Sequence, residues 1–144
     1  MARMKKLLFF ITAVLFFQPD ISLAQSGAQV ICNASGNQWQ CTMDGNYLVW
    51  LDERSTIPQI YLYNLLDSTT QQITNSSNQK FRPHISGTKI IWEEEINGET
   101  DIYIFDIANP QFGVYPLIDF PFDQFILTFK DGKVFFTYLS CRYD

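Results

Sequence analysis

The segments QIYLYNLL (59–66) and DIYIFDIA (101–108) are one strand-like phrase written twice, 42 residues apart. A fixed period of this length restricts the fold more than any local pattern, because each copy must be one unit that buries its apolar faces against its neighbours. Overlaying 45–65 on 87–107 without a gap matches Gly45 with Gly87, Trp50 with Trp92, Glu53 with Glu95, Ile60 with Ile102 and Tyr61 with Tyr103. Seven further pairs, from Leu48/Ile90 to Leu65/Ile107, keep their chemistry, so twelve of 21 positions agree in kind. Two unrelated strands would not also place a glycine, a tryptophan and an acidic turn in register.

A third copy follows at an offset of 44, which carries Phe81 onto Phe125, Ile85 onto Phe129, Ile91 onto Phe135 and Trp92 onto Phe136. Two extra residues in the connection after 107 account for the whole shift. Each unit reads as four short strands. The first alternates, so that Trp39-Cys41-Met43, Phe81-Pro83-Ile85 and Phe125-Leu127-Phe129 are each expected on one face. Turns at Asp44-Gly45, Ser86-Gly87 and Asp131-Gly132 lead into NYLVWLD, KIIWEE and KVFFTYL as second strands. The third strands are QIYLYNL and DIYIFDI, and the fourth TQQIT and VYPLI.

Second and third strands are apolar on both faces and must be covered on both. Four-stranded sheets stacked face to face around an axis meet that requirement. The expected fold is therefore all-β, a partial β-propeller of four-stranded antiparallel blades. A two-sheet sandwich would not need a 42-residue repeat in register. The blades are expected at about 39–74, 81–118 and, incomplete, 125–144.

Aligned in this way, the unit RPHISGTKIIWEEEINGETDIYIFDI resembles the TolB-type β-propeller repeat of periplasmic and cell-surface proteins. Pro83, Ser86, Gly87, Trp92, Asp101, Ile102, Tyr103 and Asp106 carry the resemblance, as do Gly45, Trp50, Asp52, Arg54, Ile60, Tyr61, Ile73 and Thr74 one unit earlier. It covers roughly 39–140 and is weakest in the third copy. Blades of this type serve in scaffolds, surface proteins and peptidase accessory domains, so the resemblance implies a fold more sharply than a task. TolB carries a separate α/β domain before its propeller, and nothing between Gln25 and Asn37 matches it. Closed rings take about 4–8 blades. The chain, with about two and a half, is expected to be the front of a longer reading frame, to assemble in several copies, or to be a truncated remnant.

At the N-terminus, Arg3, Lys5 and Lys6 precede the apolar run LLFFITAVLFF and a polar break at Gln18-Pro19-Asp20. This order predicts a signal peptide over 1–24, with cleavage between Ala24 and Gln25 after the small residues Ser22 and Ala24. The run is too short to span a bilayer, which takes about 20 residues, so no membrane span is expected after removal. The chain is accordingly expected to be exported, periplasmic or secreted. The formal net charge of −5 disfavours nucleic acid and anionic lipid as partners.

Three cysteines fall in the exported part, where oxidation is permitted. Cys32 and Cys41 flank NASGNQWQ, and a hairpin centred on Ser35-Gly36-Asn37 would set them side by side as a disulfide. Cys141 is then left over. Glu93-Glu94-Glu95, with Glu99 and Asp101, reads as a solvated hairpin turn rather than a cation site, since its spacing fits no calcium loop. His84 is the only histidine. No nucleophile elbow, zinc pattern or phosphate loop is present. Asp52, Glu94 and Asp106 could form a carboxylate pair for sugar hydrolysis, but recurrence in successive units points to turn-holding. No catalytic residue, metal or cofactor is expected. The expected role is a non-enzymatic binding or scaffold module for protein or cell-envelope partners, with self-association through exposed blade edges. The contrasting expectation is an accessory propeller within a larger secreted peptidase or hydrolase.

Overall fold

The computed structural model describes residues 30–118 and 122–138, which are all-β apart from one short 3₁₀ turn at Pro110–Phe112. The proposed leader with its Ala24–Gln25 cleavage site, and Cys141, lie outside the described residues. β1 (Gln38–Asp44), β2 (Tyr47–Asp52), β3 (Gln59–Asn64) and β4 (Thr69–Gln72) form one antiparallel sheet in sequential order. β5 (Gln79–Ser86), β6 (Lys89–Ile96), β7 (Glu99–Asp106) and β8 (Tyr115–Pro116) repeat it, and β9 (Gln124–Lys130) pairs with β10 (Lys133–Tyr138).

The first hairpin of every unit closes through two residues: Gly45-Asn46, Gly87-Thr88 and Asp131-Gly132. The first of each pair is left-handed, with φ of 55°, 58° and 50°, as two-residue loops require. The β6–β7 hairpin closes at Asn97-Gly98, with φ of 55° and 87°. That pair takes the turn which the sequence reading gave to the acidic run. Glu93, Glu94 and Glu95 instead lie inside β6, and the first two are buried.

The first strands also depart from simple alternation. Trp39 pairs with Leu51 and Thr42 with Val49, so Gln40 and Cys41 together oppose one residue, Trp50. The register breaks at the equivalent place in β5, between Phe81 and His84, and in β9, where Leu127 is the extra residue. Gln40 and Arg82 sit at φ of 50° and 48°. An inserted residue inverts the facing of the remainder of its strand. Trp39 therefore packs into the core between blades, Cys41 packs on the opposite face, and Met43 is exposed. The three do not share the face expected of them.

Sheet stacking accounts for the rest of the core. One face of blade 1 (Val49, Leu51, Ile60, Leu62) packs on one face of blade 2 (Ile85, Ile90, Trp92, Phe105). The other face of blade 2 (Ile91, Ile102, Ile104) receives Ile126, Phe129, Val134 and Phe136. First strands of successive blades touch, β1 with β5 and β5 with β9, while β4 is exposed along its length. Sheets that meet at their first strands and open toward their fourth form the wedge of a propeller.

The segment before β1 does not form the expected hairpin. Asn37 lies beside Glu53 instead: Glu53 N donates to Asn37 O at 2.9 Å, and Asn37 Nδ2 donates to Glu53 Oε2 at 2.8 Å. Gly36, at φ 87°, rests on the Glu53 backbone where a Cβ would collide. Ile31 and Cys32 are thereby laid on the Leu48–Trp50–Tyr61–Tyr63 face of blade 1, which Cys41 also borders. Both cysteines are free thiols, so the expected Cys32–Cys41 disulfide is not formed. Burial pushes the Cys41 thiol up to about 12 and raises that of Cys32, which disfavours the thiolate form of both.

Candidate functional site

Position along the antiparallel strands places the polar residues at two ends of the sheets. At the end holding the β2–β3 and β6–β7 connections, the residues that recur with the repeat do one job twice. Trp50 stacks on its cross-strand neighbour Tyr61 with ring centroids 5.9 Å apart, and Trp92 on Tyr103 at 6.3 Å. Trp50 Nε1 donates to Asp52 Oδ2 at 3.0 Å, and Trp92 Nε1 to Glu94 Oε2 at 2.9 Å. A buried indole N–H needs an acceptor, and a carboxylate two residues along the same strand face supplies it.

Each carboxylate is then held by its surroundings. Asp52 accepts from Arg54 N, Nε and Nη2 at 2.9, 2.9 and 2.7 Å, while the Arg54 guanidinium lies over the Tyr61 ring. Burial would raise the Asp52 pKa, but the bonds from Arg54 and Trp50 outweigh it and hold the carboxyl below its ordinary value. Glu94 accepts from Ser76 Oγ at 2.6 Å and Asn78 Nδ2 at 2.9 Å. Glu93 accepts the Ile126 N–H of the third unit at 2.7 Å and pairs with Arg82 at 3.3 Å. Its pKa is raised because burial prevails over both contacts. Lys80, also buried, donates to the Asn78 and Ser76 carbonyls. Glu93 thereby ties blade 2 to the third unit, and Glu94 pins the connection between β4 and β5.

Asp106 lies elsewhere, closing the turn after β7 by accepting from Thr88 Oγ1, Ala108 N and Asn109 Nδ2 at 2.8, 3.0 and 3.0 Å. Of the three carboxylates weighed as a hydrolytic pair, Asp52 and Glu94 share one structural role in successive blades and Asp106 holds a turn. Gly45 and Gly87 form the first-hairpin turns, and Ile60 and Ile102 are fully buried.

At the opposite end, the first-hairpin turns of successive units stand side by side. Gly87 N donates to Asp44 Oδ2 at 2.7 Å, and Gly132 N to Ser86 Oγ at 3.3 Å. Below this row Arg82 N donates to Gln40 Oε1 at 2.8 Å, so the bulges are joined as well. The β3–β4 turn reaches the same end, where Leu65 N donates to Asn46 O. Between that turn and Ile107 of blade 2 lies an open cleft of about 170 Å³, lined by Tyr47, Leu62, Asn64, Asp67, Thr69 and Gln71. Hydrogen bonds from Thr69 hold the Asp67 carboxyl below its ordinary value, so it stays ionised. The Asp67 carboxylate, fixed by Asn64 and Thr69, is the charged group of its lining.

No protein-family model matches the sequence, and no curated protein matches it. Solved structures do. TolB from Acinetobacter baumannii is similar over 78% of this chain at 21% identity, with a TM-score of 0.60. A protein assigned as TolB from Agrobacterium tumefaciens is similar over 67%, at 12% identity and a TM-score of 0.52. The fold is that of TolB propeller blades. The chain spans 29% and 35% of those two structures, about a third of each. In the TolB-like frame, the repeat-defining residues are the stacking and turn elements of successive blades. Arg82, Ser76, Asn78 and Lys80 escaped the sequence reading, and Glu93 was expected in a solvated turn rather than buried in β6. Only the twice-written Trp-x-Asp/Glu triplet hinted at the buried network they join.

Proposed function

We propose that the chain is an exported, non-enzymatic TolB-like binding module that engages a protein or cell-envelope partner through the end of the propeller carrying the first-hairpin turns. The row of turns linked from Asp44 to Gly87 and from Ser86 to Gly132 carries this reading. A surface assembled from one short loop per blade is rigid, and it grows with blade number, which suits recognition of an extended surface. The notch at Asp67 gives the row one recess. At the opposite end the carboxylates of Asp52, Glu93 and Glu94 are buried and already engaged by groups of the fold. No helix among the described residues is long and apolar enough to cross a membrane.

Site-specific photo-crosslinking tests the reading. A crosslinkable residue at Asn46 or Asp67 should give a discrete adduct in the envelope fraction of the native host. The same residue at Ser55 or Glu99, at the other end, should give none. Adducts of equal yield from both ends would overturn it.

A further inference from the structure

The turn after β3 in blade 1 and the turn after β7 in blade 2 are built alike, with their charges exchanged. In blade 1 Asn64 Oδ1 accepts from Leu66 N at 3.0 Å, and Asn64 Nδ2 donates to Asp67 Oδ2 at 3.0 Å. In blade 2 Asp106 Oδ1 accepts from Ala108 N at 3.0 Å, and Asn109 Nδ2 donates to Asp106 Oδ2 at 3.0 Å. Amide and carboxylate have traded places within the same pair. The residue facing the pair from the neighbouring strand has changed with them: Lys89 lies opposite Asp106, and Tyr47 holds that position opposite Asn64. Lys89 Nζ is 3.6 Å from Asp106 Oδ2, so the blade 2 turn has its cation. Among the described residues no cation pairs with Asp67, which lines the open cleft of about 170 Å³.

We propose that this cleft takes the side chain of a lysine from a basic partner protein, its ammonium on Asp67 and its methylenes along Leu62 and Ile107. Blade 2 shows the same turn satisfied by a lysine of its own, and in blade 1 the lysine must come from outside. The remaining capacity of the carboxylate selects an ammonium. Oδ1 accepts from Thr69 N at 3.0 Å and from Thr69 Oγ1 at 2.7 Å, and Oδ2 accepts from Asn64 Nδ2. Of the roughly four lone-pair sites of a carboxylate, these bonds leave one, on Oδ2. A guanidinium needs both oxygens for its paired bonds, whereas an ammonium is a point charge that one lone pair can hold. The walls suit the stem as well. Leu62 is buried and Ile107 half-buried, and a lysine lays its methylenes along apolar surface while its charge stays in water. The formal net charge of −5 favours the approach of a basic partner. The inference rests on the binding-module reading and names the chemistry of its partner.

Carbodiimide, which couples a carboxylate to an amine in contact with it, tests this in the envelope fraction of the native host. Peptide mapping should find Asp67 linked to a lysine of another protein. Asp67→Asn keeps an oxygen for Thr69 and loses the charge. The link should vanish, and the photo-adduct from Asn46 should fall about two- to fivefold, the worth of an exposed ion pair. Tyr47→Lys writes the blade 2 arrangement into blade 1, supplies the cation from within and should lower the adduct too. Glu99→Gln, at the other end, should leave it unchanged. An Asn46 adduct of full yield in both Asp67→Asn and Tyr47→Lys would overturn the inference. So would the absence of any Asp67 link, or links confined to an aminosugar, an aminolipid or a second copy of this chain. Turn-end adducts that persist at full yield in Asp67→Asn leave the module reading standing. An Asp67 link to a partner lysine, with adducts of equal yield from both ends, does the reverse.

Discussion

Replacing Asp52 by alanine removes the carboxylate that accepts from the Trp50 indole, the Arg54 backbone N–H and the Arg54 guanidinium. The Trp50 indole N–H, buried and 3.0 Å from Oδ2, loses its acceptor, at a cost of about 1–3 kcal/mol. The Arg54 guanidinium loses its partner too, but its side chain is 33% exposed and rehydrates, so that pair adds only about 0–1 kcal/mol. Together they give about 1–4 kcal/mol, against the 3–5 typical when one partner of a fully buried pair is removed. For a chain of this size that lowers Tm by about 4–16 °C. Asp52→Asn keeps an oxygen for the indole and loses only the charge, so it should fall in between. Thermal unfolding followed by near-ultraviolet circular dichroism separates the three proteins. The folded-state pKa of Asp52 is depressed. Its stabilisation is therefore complete above the unfolded value of about 3.9 and is lost as pH falls through the folded one. Parent and Asp52→Asn should converge in strong acid. The reasoning is refuted if Asp52→Ala melts within about 2 °C of the parent, under half a kcal/mol, or if Asn is as damaging as Ala.

Glu93 has the opposite sign: with its folded pKa raised, stability falls as pH rises from the unfolded value toward the folded one. Glu93→Gln should raise Tm at pH 7 and give no gain at pH 4, as parallel melts would show. Gly36→Ala drives a Cβ into the Glu53 carbonyl at a positive φ. It should cost about 1–3 kcal/mol and increase hydrogen exchange at the amides of 31–37. Ile102→Ala empties a fully buried site in blade 2 and should cost about 2–5 kcal/mol in urea unfolding. N-terminal sequencing of the exported protein should begin at Gln25; retention of the apolar run would refute cleavage there.

Blade architecture was legible because the repeat writes it at long range. A tryptophan, a glycine and a third-strand phrase recur at one spacing, and every first-hairpin turn fell where glycine or Asp-Gly marked it. The bulges were not legible, since Gln40 and Arg82 are not residues that advertise a left-handed backbone. Glu93 and Glu94 were misread for a related reason. A local acidic run looks solvated, and the groups that make burial tolerable are the Trp92 indole, Ser76, Asn78 and Ile126, which only folding brings near. The cysteine hairpin failed because Gly36 serves a contact with Glu53 rather than a turn. The turn-end row was half visible: the turns could be placed, but not the bonds joining each to the next.

The bulges at Gln40, Arg82 and Leu127 have an evolutionary consequence. A strand tolerates a gained or lost residue only where something can absorb a change of parity, and each blade keeps one such place in its first strand. Single-residue length changes among descendants of this chain should collect there. One residue added to β2 or β6 would exchange inside for outside from that point to the strand's end.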